Sequence, residues 1–407
     1  MDSILKNETK RKSQFVNLIA SENLMYPKIS KYLGSSVLSD KYSEGTPGKR
    51  YYSGNEFIDK IEILCQERAL KLYDLESTEW KVNVQAYSGS IANLAVYNSI
   101  LEPQDKIMGM ELPSGGHLTH GFYTYKRKVS ISSKYYNSQQ YPVDYSTGCI
   151  NYKDLEKRIE VFKPKLLIIG GSSYPRDFNF SEIRRICNKY FCYLMYDMSH
   201  NCALVASKIL KSGFDYCDFV TTTTHKTLRG PRGALIFYRQ HFEKKINSSL
   251  FPGIQGGPHN NNIAGICVAL GESLKPEFIN YCLRIINFSH IFCNYLIGKG
   301  HKISTNGSDN GIILIKINCD SDRLVKFFEL SNIDVNKNCF PGDESALKPT
   351  GLRIGTGWLA AKNLKSKNVY TIAKIVSEIL FLAEIPTISF PHKTLKHFRK
   401  TIKNIVI

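Results

Sequence analysis

The chain has 407 residues, 43% of them hydrophobic and 12% aromatic, which is enough for a large core and too long for one ordinary domain. Its formal net charge of +18 is spread along the chain with one local cluster, "HKTLKHFRKTIK" at 392–403, and so does not single out a nucleic-acid binder. No run of eighteen apolar residues and no charged-then-apolar leader occurs, and the eleven cysteines form no CxxC pair, so a membrane span, a secreted disulfide framework and a zinc site are all excluded as expectations.

In chain order, "MDSILKNETKRKSQF" reads as a polar helix. "YSGSIAN" at 87–93 places Ser88, Gly89 and Ser90 ahead of a helix beginning near Ile91, an arrangement that can cradle a phosphate on backbone N–H groups and hydroxyls. A loop of small residues is by itself more often a cap. "SGGHLTHG" at 114–121 adds His117, an imidazole able to stack on a planar ring, although a lone histidine there is usually structural.

The middle third alternates apolar runs with amphipathic ones: "PKLLIIGGSS", "FSEIRRICNKYF", "CYLMYDMSH", "DFVTTTTHK" and "GALIFY". Short strands separated by helices predict an α/β sheet with its functional groups at the strand ends. After "FPGIQGGPHNNN" the texture changes to helices at 262–274 and 278–298, a short β region at "NGIILIKIN" and a final helix near 367–383. We divide the chain into an N-terminal arm with a dimer contact (1–45), a large cofactor-binding domain (46–265) and a smaller C-terminal α+β domain (266–407).

"YLMYD" delivers Asp197 from one strand and "FVTTTTHK" delivers Lys226 from another. An amine and a carboxylate side by side at a sheet edge suit pyridoxal phosphate: the amine for its aldehyde, the carboxylate for its ring nitrogen. Taken singly, either residue reads as a capped turn or a solvated lysine.

Together the motifs "LIASEN" (18–23), "DKYSEGTPGKRYYSG", "YSGS", "GGHLTHG", "DMSH", "TTTTHKTLRGPRG", "FPGIQGGP", "VNKN" and "TGLRIGTG" resemble the serine hydroxymethyltransferase family, in the family's order and over nearly the whole chain. The resemblance implies the aspartate-aminotransferase-like fold of pyridoxal-phosphate-dependent transferases, with a large, mostly parallel sheet. It implies reversible transfer of the serine hydroxymethyl group to tetrahydrofolate, giving glycine and methylene-tetrahydrofolate. Pyridoxal 5'-phosphate is the implied cofactor, tetrahydrofolate the cosubstrate, and no metal is called for.

Residue by residue, the resemblance implies a Schiff-base role for Lys226, pairing of Asp197 with the pyridine nitrogen and stacking of His117 on the ring. Ser172 and His200 match positions near the phenolic oxygen, Gly89 and Ser90 match phosphate contacts, and His225 is a further cofactor contact. Gly257 is expected to reach over from a partner subunit. Arg353 matches the arginine that pairs bidentately with the substrate carboxylate. Ser21, Tyr42 and Tyr52 belong to the substrate pocket, with Tyr52 also counted among the catalytic groups. Glu44 matches the carboxyl group that handles protons between the hydroxymethyl group and folate. Leu112, Gly116, Leu118 and Asn338 match the pterin site.

The implied assembly is a homodimer with shared active sites, or a tetramer, in the cytoplasm, acting on serine, glycine and folate without membrane or nucleic-acid partners. The chain departs from the family at its short N-terminal arm, at Gly357 and Trp358 just after the arginine motif, and at Asn201 and Cys202. These departures are expected to thin a dimer contact and to loosen Arg353. A folate-independent aldolase acting on threonine-like amino acids and a degenerate RNA-binding or scaffold protein are the alternatives.

Overall fold

The computed structural model describes residues 1–385 and 391–406. The apolar runs of the middle third are strands of one seven-stranded sheet. From edge to edge its order is Trp80–Asn83, Ala234–Arg239, Phe219–Thr223, Tyr193–Asp197, Leu166–Ile169, Lys106–Met110 and Asn137–Tyr141. Five of these strands pair in parallel, and only Ala234–Arg239 runs against its two neighbours. Every residue of Leu166–Ile169 and of Phe219–Thr223 is buried, because helices cover both faces of the sheet.

Alternation along the strands divides the core. Leu166, Ile168, Met195 and Phe219 face Ala95, Val96 and Leu250 on one side. Leu167, Ile169, Leu194 and Val220 face the larger cluster on the other. Helix Phe180–Lys189 illustrates the local logic. Its Phe180, Ile183, Ile186 and Cys187 form one buried stripe, and Asn179 caps it by accepting from the Glu182 N–H at 3.3 Å.

The C-terminal part is built on helix Pro276–Gly298, packed against Ser366–Glu384, and on a three-stranded antiparallel sheet in the order Ile312–Lys316, Gly351–Gly355, Asn336–Asn338. Strand Val16–Asn17 pairs in parallel with Ile333–Asp334, and Arg11 meets Asp334 at 3.0 Å, so the N-terminal segment is fastened to this part of the chain. Helix Asn260–Ser273 lies along Glu56–Leu72 and spans the boundary expected at 265.

The helix expected near 367–383 is not the last one. The basic cluster at 392–403 belongs to a helix, His392–Val406, that buries Leu395, Phe398, Ile402 and Val406. Its apolar residues recur every three or four positions between lysines, and the charge obscured that period. Among the described residues no helix is long and apolar enough to cross a membrane. All eleven cysteines are free.

Candidate active site

Lys226 and Asp197 leave neighbouring parallel strands at the same sheet edge, with Asp197 in register with Thr221. After Thr223 the chain must turn back into the antiparallel strand Ala234–Arg239. It does so through a tight loop in which Gly230 N–H donates to Thr224 O at 2.8 Å and Arg229 takes φ +59°. The threonine strand therefore ends by presenting His225 and Lys226 to a cavity of about 220 Å³. Burial of Lys226, opposed by the Asp197 carboxylate and reinforced by Arg353, lowers its amine to about 8.

Asp197 is heavily satisfied. It accepts from Ser199 Oγ at 2.6 Å, from Asn93 Nδ2 at 2.8 Å and from His120 Nε2 at 3.2 Å. Burial works against its charge, but the His120 hydrogen bond and nearby positive charge hold the carboxyl well below its usual range. Asn93 is in turn fixed by Thr221 Oγ1 at 2.7 Å. His117 lines the same cavity. Its Nδ1 accepts from the Thr119 N–H, and burial next to His120 lowers it to about 4.

Ser88, Gly89 and Ser90 border the cavity at the start of helix Gly89–Ile100, where Ser88 Oγ caps the Ile91 N–H. A Cβ at Gly89 would come within 2.7 Å of Thr223 Cγ2, so only glycine lets the helix end approach the strand. Ser172, His200 and Arg232 also line it. Burial pushes His200 well below the usual imidazole range and lowers His225 to about 4.

Pyridoxal phosphate fits this set. Among the described residues Thr223 Oγ1 and His225 Nδ1 are buried without a partner, and they line the cavity together with the start of helix Gly89–Ile100, where a phosphate has acceptors to offer. The amine and the charged carboxylate supply the two groups that the cofactor ring requires.

Arg353 sits on strand Gly351–Gly355, 8% exposed. Its Nη1 donates to the Ser172 carbonyl at 2.7 Å, and its Nε and Nη2 donate to Asn336 Oδ1 at 3.3 and 3.2 Å. No carboxylate lies within ion-pair distance of it among the described residues. Burial lowers it to about 10. The Leu18–Asn23 segment, which contains Ser21, runs past this strand, with Gly355 N–H donating to Leu18 O at 2.8 Å. Asn338 donates to Ser173 Oγ at 3.0 Å. Gly116 is buried on the His117 turn, while Leu112 and Leu118 on that turn retain solvent exposure.

Tyr42, Glu44, Tyr52 and Gly257 do not line the Lys226 cavity. They form a second cluster instead. The Tyr42 and Tyr52 rings are 5.0 Å apart, Tyr42 lies against Gly257, Glu44 Oε1 faces Gly256, and Tyr87 Oη donates to Gly257 O at 2.5 Å. Tyr42 and Tyr52 are about half exposed.

The sequence reading overlooked His120, Asn93 and Ser199 around Asp197, and Asn336 beneath Arg353. His120 carried a signal in the second histidine of "GGHLTHG", and Asn336 in "VNKN", two residues before Asn338. Beside the departures at Gly357, Trp358, Asn201 and Cys202, Arg353 contacts Asn336 and Ser172, Trp358 is buried in the core, and Asn201 bonds Tyr196 Oη at 3.0 Å and Asn310 at 3.1 Å.

The large parallel sheet, its buried amine and carboxylate at adjacent strand ends and the small-residue helix start define a pyridoxal-phosphate-dependent transferase of fold type I. The family model for serine hydroxymethyltransferase matches residues 1–376. Serine hydroxymethyltransferase 3, chloroplastic, of Arabidopsis thaliana is 44% identical, over 98% of this chain and 77% of its own length. The cytosolic enzyme of Oryctolagus cuniculus is 44% identical over 98% and 86%, and the mitochondrial enzyme of Schizosaccharomyces pombe 42% over 94% and 81%. The chain belongs to the serine hydroxymethyltransferase family. Its reaction is reversible transfer of the serine hydroxymethyl group to tetrahydrofolate, with pyridoxal 5'-phosphate as cofactor.

Proposed function

We propose that Lys226, Asp197 and Arg353 form the catalytic centre of this transferase and that Glu44 and Tyr52 complete it from a second subunit. The observation that carries the reading is the buried guanidinium of Arg353, which pairs with no carboxylate among the described residues and donates to Ser172, a residue of the cavity that holds Lys226. A buried arginine in that state is a site for an anionic ligand, and its planar fork suits the carboxylate of serine.

Pyridoxal phosphate, when bound, supplies an electron-poor ring that takes up the electron pair released as the Cα–Cβ bond of serine breaks. The chain's own groups do the rest. Lys226, with its amine near 8, is available as a neutral nucleophile at mildly alkaline pH without a separate base. Asp197, which keeps its negative charge, would pair with the protonated ring nitrogen. Ser88, Gly89, Ser90 and His225 would hold the phosphate, and His117 would stack on the ring. Glu44 moves the proton of the serine hydroxyl toward folate, and Leu112, Gly116, Leu118 and Asn338 border the pterin.

The shared-site dimer is supported by the separation of the two clusters. "KYSEG" and "QGGP" gather Tyr42, Glu44, Tyr52 and Gly257 in a partly exposed cluster outside the lining of their own chain's Lys226 cavity, as expected of groups that serve a two-fold partner. We keep the division into 1–45, 46–265 and 266–407. We also keep a cytoplasmic location, shared with the cytosolic relative although others are named chloroplastic and mitochondrial.

Complementation tests the assembly. Lys226→Ala and Glu44→Gln chains, each inactive alone, are unfolded and refolded together, with subunit mixing checked by mass. About half the dimers are then mixed and carry one intact site each, so roughly a quarter of wild-type sites should return. No recovered activity from verified mixed dimers contradicts the shared site.

A further inference from the structure

Lys226 is held by more than its own loop. Asn23, from the N-terminal "LIASEN" segment, donates its Nδ2 to the Lys226 carbonyl at 3.1 Å and to Tyr281 Oη at 2.8 Å. Tyr281 Oη donates to the next carbonyl, that of Thr227, at 3.1 Å. The two side chains thus grip consecutive peptide oxygens and each other. Asn23 Oδ1 accepts from the Leu24 N–H at 2.8 Å, which fixes the amide, and Tyr281 is 2% exposed. Arg229 closes the arrangement: its Nε donates to Leu24 O at 2.8 Å, and its guanidinium lies 4.3 Å from the Tyr26 ring and 5.4 Å from the Tyr281 ring.

The same helix also holds the turn after Arg353. Thr356 Oγ1 donates to the carbonyl of Ile285, four residues after Tyr281 and one turn along helix Pro276–Gly298. One helix therefore sets two anchor points, the chain just past the amine and the chain just past the arginine. The distance between those groups sets how closely the reacting atoms of an amino acid, once its carboxylate is held by Arg353, are aligned with the position of the amine.

We propose that Asn23 and Tyr281 are positioning residues that fix Lys226 relative to Arg353, with helix Pro276–Gly298 as the spacer between them. The inference rests on the reading of Lys226 as the cofactor lysine. Neither side chain touches the reacting atoms, and their effect passes through the backbone of residues 226 and 227.

The test uses Tyr281→Phe, which keeps the ring for Arg229 and removes only the hydroxyl, together with Asn23→Ala and the double variant. In the cofactor-loaded protein, kcat for serine cleavage should fall on the order of tenfold to a hundredfold, because misplacement of a reacting group is costly even when it is slight. KM for serine should stay within about twofold, since the contacts of Arg353 are intact. The double variant should lose little more than the worse single one, because both residues act on one hydrogen-bonded unit. Backbone hydrogen exchange of the cofactor-free protein gives an activity-independent readout: the Arg229 and Gly230 amides, bonded to Lys226 O and Thr224 O, should exchange faster, and those of Tyr193–Asp197 should not.

Unchanged exchange at 229 and 230 overturns the proposal, as does wild-type kcat in both single variants. An equal fall in kcat, serine affinity and melting temperature also overturns it, by reducing the pair to general packing. If Lys226→Ala itself keeps wild-type turnover, the assignment of Lys226 fails instead, while the exchange result still decides whether the clamp exists.

Discussion

Asn336 Oδ1 accepts from both Nε and Nη2 of Arg353, the residue directly opposite it in the antiparallel pairing of their strands. A neutral amide therefore orients the guanidinium without cancelling its charge. Asn336→Asp would place a carboxylate on the same two donors and compete with substrate. KM for serine should rise at least tenfold, on the order of 1.4 kcal/mol or more, with cofactor affinity unchanged. Equal serine affinity in the variant would remove Arg353 from the substrate site.

Arg353→Lys tests the same site from the other partner. One ammonium cannot reproduce two parallel hydrogen bonds, and the loss in serine binding should be about 2–4 kcal/mol, with cofactor retained. Steady-state kinetics together with cofactor titration separate the two effects.

The lowered amine of Lys226 has a direct signature. The cofactor-free protein should take up pyridoxal phosphate at a rate that rises as pH passes through about 8, far below the ordinary lysine value of about 10.5. Because Asp197 raises this amine, Asp197→Asn should move the profile to lower pH. The stability sign follows. Between about 8 and 10.5 the unfolded chain binds more protons than the folded one, so the wild type should gain stability relative to Lys226→Met as pH rises through that window and lose the gain below it. Stopped-flow uptake and denaturant titrations at several pH values check both.

For Glu44→Gln, cofactor loading should be normal and folate-dependent serine cleavage should collapse, since the amide keeps the shape and cannot exchange the proton. Folate-independent cleavage of bulky β-hydroxy amino acids should survive better. Parallel loss of both activities would make Glu44 structural.

The strands leading to Asp197 and Lys226 were legible because strands buried on both faces are rich in apolar or β-branched residues: "YLMY" is an apolar run ended by Asp197, and "FVTTT" is a β-branched run after which the chain turns at Lys226. Helix Gly89–Ile100 was legible from its small-residue start. The pairings of His120, Asn93 and Asn336 were not: "GGHLTHG" and "VNKN" contain two of these residues, but their partners lie 77, 104 and 17 residues away and no local pattern says what they meet. The final helix His392–Val406 was hidden by the lysines on its exposed face. Neither could one chain's spacing reveal that Tyr42, Glu44, Tyr52 and Gly257 form a cluster apart from the Lys226 cavity, since that depends on how two distant loops meet.

The central claim is that Lys226 is the amine that holds the cofactor. Borohydride reduction of the cofactor-loaded wild-type protein, followed by proteolysis and peptide mass spectrometry, reads it most directly. The account predicts a phosphopyridoxyl group on Lys226 and its loss when serine is present in excess before reduction. The same modification found mainly on another lysine, with Lys226 unmodified, would contradict it.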